Sequence, residues 1–176
     1  MTGALDLSAA AARLGGHCWL ELQVFEIAGR WVPATPEAPA KLLLDRHSAH
    51  AAWRAGQWEQ RLPVLAVIDR RALIAPPDAG WLRCLSELAG LEGTVARLAG
   101  CYRVVLPRLA QRYREHLADT SPVADAPTRR SLHIVAADLA GDGAEGGDML
   151  QGLLSDRASI ATAAAAVVAL ESAFLA

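Results

Sequence analysis

Three side chains in this sequence stand where burial would force a chemical role on them. Glu21 interrupts an apolar stripe running Leu14, Cys18, Glu21, Phe25, Ala28 and Val32. At helical spacing its carboxylate points inward, between Cys18 and Phe25. An unpaired carboxylate in an apolar interior is strongly disfavoured, so Glu21 requires a partner: a metal ion, a cation such as Arg54 or Arg103, or a hydrogen-bonding neighbour. His47 and His50 lie three residues apart on the inner face of a second helix, so both rings can reach one point. Neutral imidazoles so spaced are ligands for iron, manganese or zinc. Asp45 falls on the outer side of that helix.

The other candidates are weaker in type or position. Tyr102 and Tyr113 read as core residues whose hydroxyls find a partner at the bundle rim. His116 lies near a helix end, where the helix dipole favours a cation. Asp138 sits beside the stripe Leu132, Val135, Leu139, either as a further ligand or as a polar residue in the last turn before Gly141. Trp19, Trp53 and Trp58, with Tyr102, would suit a pocket for an apolar or aromatic ligand. No nucleophile elbow, P-loop, dinucleotide-binding glycine pattern or H-E-x-x-H is present. The glycine-rich stretch Gly141–Gly147 follows a helix and carries Asp142 and Glu145, which argues against a phosphate cradle.

Helices must position these groups. Aromatic and β-branched residues are sparse and no alternating run persists, so strands are not expected. The first helix runs from about Leu14 to Val32, with a second inner stripe of His17, Leu20, Val24, Ile27 and Trp31. Pro33–Pro36 ends it and opens the second helix, from about Pro36 to Arg61, before Pro63. Residues 62–80, with Pro63, Pro76, Pro77 and Gly80, read as a long connection. A third helix is expected from Trp81 or Ser86 to Asp119, kinked at Pro107. A fourth starts at Ser121-Pro122, or later near Asp125, and runs toward Leu139, with Gly141–Gly147 breaking it. An Ala-rich fifth segment, Asp148–Phe174, completes the chain, with Ser155 or Ser159 as a second start. The first and third connections are short, so each makes an antiparallel hairpin. The middle one spans up to roughly 60 Å, enough to cross a helix of about 37 Å.

Bulk properties bound the function. With 176 residues, 53% hydrophobic and 20% charged, the chain can bury the core of one domain, taken as 1–176. A net charge of −2 gives no bulk attraction to nucleic acid or anionic membrane, and the arginines form scattered doublets without aromatic interleaving. Three cysteines without C-x-x-C spacing fit free buried thiols in a reducing cytoplasm. The N-terminus has no signal-peptide pattern. The longest near-apolar run, Ile160–Leu170, is short of the roughly 20 residues a span needs.

On Glu21, on His47-Ser-Ala-His50, and on helix order and loop lengths, residues 8–140 resemble the ferritin-like superfamily. That likeness implies an all-α four-helix bundle with a long crossover between helices 2 and 3, plus an extra C-terminal helix. In di-iron members, helices 1 and 3 each give a Glu and helices 2 and 4 each give Glu-x-x-His. Here Glu21 matches the helix 1 carboxylate and His50 the helix 2 histidine. His47 stands in place of the helix 2 Glu, Tyr102 lies near the level of the helix 3 Glu, and Asp138 is followed three residues later by Gly141. The implied site is therefore a single metal, iron foremost, held by Glu21, His47, His50 and Asp138. The expected function is a small-molecule tailoring enzyme of secondary metabolism, a mononuclear non-haem iron oxygenase or oxidase. The rivals are a metal-free acid/base enzyme using Glu21, His47 and His50, and a non-catalytic ligand-binding or scaffold bundle. A homodimer is expected through the apolar C-terminal helix.

Overall fold

The computed structural model describes residues 6–64 and 69–175. Among them every regular element is helical: α1 (Leu7–Trp31), α2 (Ala38–Glu59), α3 (Arg70–Leu73), α4 (Ala79–Gly90), α5 (Thr94–Gly100), α6 (Leu106–Ala118), α7 (Ala126–Leu153) and α8 (Arg157–Leu175). A π-helical turn, Cys101–Val105, joins α5 to α6 without a break in the rod. Side chains cap several starts. The Asp6 carboxylate accepts from the Ala9 N–H at 2.7 Å, and Asp78 does the same for the Trp81 N–H at 2.9 Å.

Contacts fix the helix directions. The α1–α2 pair is the antiparallel hairpin expected: Phe25 faces Ser48, Glu21 faces Arg54, and Cys18 faces Ala55. The α5–α6 rod runs parallel to α2. Thr94 meets Glu37 at one end, Tyr102 meets His47 midway, and Tyr113 meets Trp58 at the other end. A parallel neighbour requires an intervening crossing of the bundle, and here the outcome differs from expectation. The connection stays at the end where α2 finishes: Arg70 Nη2 donates to the Glu59 carbonyl at 2.6 Å, Leu73 abuts Gly15, and Pro77 packs on Gly16. Residues 65–68 of the expected crossover lie outside the described residues. The crossing is made by α4, as helix.

Two further boundaries are corrected. The third helix is not continuous from Trp81 or Ser86: the chain reverses at Leu91–Gly93, where Gly93 takes φ +77°, a conformation that side chains with a Cβ resist. The fourth helix is not broken at Gly141–Gly147, because α7 passes through all of these residues. An interior glycine weakens a helix by only about 1 kcal/mol, which tertiary contacts outweigh. At Gly146 the residue is required, since a Cβ there would lie inside the Tyr102 ring. The kink expected at Pro107 takes the form of the π turn just before it. Proline has no N–H to return to Arg103, and the Leu106 N–H bonds instead to the Cys101 carbonyl, five residues back.

A single apolar core runs from Leu14 and Leu20 through Leu44, Trp58, Leu88, Leu109 and Leu139 to Leu170. By length and composition α8 is the one described helix able to cross a bilayer, with a mean hydropathy of 1.8 over its best window. Its inner face instead packs on α4 and α5 through Ala163, Ala166 and Leu170, and Phe174 meets Trp81 edge-on at 5.1 Å between centroids.

Candidate metal centre

A continuous polar chain threads the apolar core. Glu21 is fully buried, and its Oε1 accepts from Arg54 Nε at 2.9 Å and from the Tyr113 hydroxyl at 2.5 Å. The Tyr113 oxygen in turn accepts from the Trp58 indole at 3.1 Å. Arg54 Nη1 then donates to Asp142 Oδ2 at 2.6 Å and to Asp138 Oδ2 at 2.7 Å. With Oδ2 held, Asp142 presents Oδ1 to the histidines. It lies 2.7 Å from His50 Nδ1 and 3.4 Å from His47 Nε2. His47 Nδ1 bonds to the Tyr102 hydroxyl at 2.8 Å, and Glu145 stands 3.3 Å from His47 Nε2 while pairing outside with Arg46.

The sequence-based site therefore divides. His47 and His50 do come together, with rings stacked 5.7 Å apart, and their carboxylate is Asp142. One donor atom from each of these three residues lies within 4.8 Å of the others. Glu21 is the partner of Arg54, the cation alternative, and does not reach the histidine pair. Asp138 also pairs with Arg54. Of the pocket residues, Trp58 is fully buried in the core, Trp19 is half-buried, and Trp53 is exposed on the outer side of α2, so they do not converge on one pocket. Tyr102 alone joins the site.

The glycine stretch reads in the sequence as a helix break, which hides Asp142. The signal was nevertheless present: Leu132, Val135, Leu139, Asp142, Gly146 and Leu150 keep helical spacing, and all six are buried. An acid on that stripe is the same anomaly that singled out Glu21.

Electrostatics favour a cation here. Burial raises the Glu21 pKa against the pull of Arg54. Burial also works against the Arg54 charge, but the three carboxylates more than restore it. Buried Glu21 and Asp142 still outnumber the one guanidinium, with half-buried Asp138 beside them. Burial lowers the His47 pKa despite Asp142 and Glu145, so its ring stays neutral and able to ligate. His50 is half-buried, which gives this end of the chain access to solvent.

A second histidine pair lies at the other end of the bundle. His17 Nε2 and His116 Nδ1 are 2.9 Å apart, among Trp58 and Tyr113. The sequence suggests a cation at a helix end for His116. It is instead buried, and desolvation together with Arg13 pushes its pKa down to about 4. Among the described residues no carboxylate is hydrogen-bonded to this pair, and after burial itself His116, Arg112 and Arg13 lower the His17 pKa further.

Comparisons of the chain with protein-family models, with curated proteins and with solved structures return no match.

Proposed function

We propose that this chain is a ferritin-like bundle in which His47, His50 and Asp142 hold one metal ion, iron foremost, beside a small-molecule substrate. The observation that carries this reading is the convergence of two imidazoles from α2 with one carboxylate from α7. Two histidines and one carboxylate form the non-haem iron pattern, in which open positions remain for substrate and oxygen. The helix order supports the ferritin-like part: an α1–α2 hairpin, then a rod parallel to α2, then α7 returning beside both. When bound, iron would supply oxidation chemistry.

The chain's own residues have defined parts in this scheme. Arg54 fixes Asp142 through Oδ2 and leaves Oδ1 aimed at the histidines, the kind of outer support that sets a ligand's orientation. Since a carboxylate can only accept, the metal-free His47 ring would carry its proton on Nε2, facing Asp142 and Glu145, with Nδ1 accepting from Tyr102. To hold a metal through Nε2, His47 would need its proton on Nδ1, with the Tyr102 oxygen as acceptor. Uptake should weaken as pH falls, because a protonated imidazole cannot ligate.

The test is uptake of Fe(II) or Zn(II) by the purified chain, followed by calorimetry and metal analysis. Wild type should bind one ion, and His47→Ala and Asp142→Asn should each lose at least about tenfold in affinity. Absence of stoichiometric uptake would overturn the metal reading. The acid/base reading would then remain, resting on the 2.7 Å His50–Asp142 pair rather than on Glu21. We also propose a homodimer through the outer face of α8, where Ile160, Val168 and Leu175 are exposed.

A further inference from the structure

Next to the His47 site, α6 and α7 enclose a groove of about 210 Å³ whose walls include Tyr102, Leu106, Pro107, Ala110, Leu139 and Gly143. Among the described residues no charged side chain lines it. A charged ligand would lose its hydration with no ion to replace it, whereas an apolar one would gain from leaving water. A closed apolar cavity of roughly 150 Å³ accommodates benzene, so this groove has room for one ring with small substituents.

Two backbone features border the groove. The π turn Cys101–Val105 carries Tyr102 and precedes Pro107, and such turns recur at functional sites. Opposite it, α7 presents Gly143, where a Cβ would meet nothing within 4 Å. That opening persists in the middle of a 28-residue helix, where a larger residue would both fill the groove and favour the helix. The Tyr102 ring forms one wall, and its hydroxyl lies 2.8 Å from His47 Nδ1.

We propose that this groove binds a small, neutral, single-ring aromatic molecule against the Tyr102 ring. Aromatic pairs favour offset or edge contacts, which a Tyr wall offers and aliphatic walls do not. The occupant's role as substrate rests on the metal reading above, while its binding does not.

The experiment titrates the full-length chain with phenol, cyclohexanol and benzoate, following amide resonances by NMR. Phenol should shift resonances of Tyr102, Leu106, Ala110 and Gly143 saturably, with weaker binding of cyclohexanol and none of benzoate. Gly143→Leu should lower phenol affinity by about tenfold or more. The same variant should keep or raise its melting temperature and bind Zn(II) as wild type does. Failure of phenol to bind, equal binding of cyclohexanol or benzoate, or unchanged affinity in Gly143→Leu would each overturn the proposal. Phenol binding without any Zn(II) uptake upholds the groove and removes the metal reading. Zn(II) uptake without phenol binding does the reverse.

Discussion

Replacing Arg54 with methionine tests the physical centre of this protein. The guanidinium is 1% exposed and donates at 2.9, 2.7 and 2.6 Å to Glu21, Asp138 and Asp142. Methionine keeps an unbranched stem but leaves Glu21 and Asp142 buried with no cation between them. Breaking a buried ion pair from one side costs about 3–5 kcal/mol. For a chain of this length each kcal/mol moves the melting temperature by about 2–4 °C, so a fall of about 6–20 °C is expected near neutral pH. The loss should also depend on pH. Burial already raises the Glu21 pKa against the pull of Arg54, and without Arg54 that rise is unopposed, so the contribution of Glu21 to stability is present at low pH and lost as pH rises. The gap from wild type should therefore be widest at pH 7–8 and narrow toward pH 4–5, near the ordinary carboxyl values of about 4. Arg54→Lys keeps a charge with fewer donors and should fall between the two, which guards against a variant too unstable to assay. Differential scanning calorimetry across pH provides the measurement. A gap under about 2 °C at pH 7.5, or one that widens on acidification, would refute the reasoning.

The His17–His116 pair predicts an acid-sensitive limb. Both rings are held neutral, and His116 titrates at about 4 when folded, so stability present above the ordinary histidine value falls as pH drops from about 6.5 toward 4. Urea unfolding should register a loss of order 3 kcal/mol over that range from His116. His116→Gln should flatten the limb, and an unchanged limb would assign it elsewhere. On the outer face of α8, Val168→Arg should convert a dimer to a monomer in light scattering with helicity intact. A wild-type monomer at micromolar concentration would remove the dimer proposal.

Much of this arrangement was legible in the sequence because helical periodicity is local. The stripes through Leu14–Val32 and the spacing of His47 and His50 name buried faces without reference to any partner. An inward acid signals a compulsory partner in the same way. Prolines and short connections fixed the α1–α2 hairpin, because a few residues cannot reach the far end of a helix. Which partner Glu21 takes could not be read locally. The choice between a metal and Arg54 depends on how α1 and α2 are set against each other, which brings Arg54 Nε to 2.9 Å. The continuity of α7 was decided in the same way. Its glycines lower the intrinsic helix preference, and only the contacts of Leu139 and Leu150 with the core, the seat of Tyr102 on Gly146 and the grip of Arg54 on Asp142 restore it. A helix break at that segment would take Asp142 off the face it shares with Leu139, which hides from the sequence the carboxylate that meets His47 and His50. Local sequence determined which side chains must be buried; the packing of α2 against α7, 92 residues apart at His50 and Asp142, decided which of them meet.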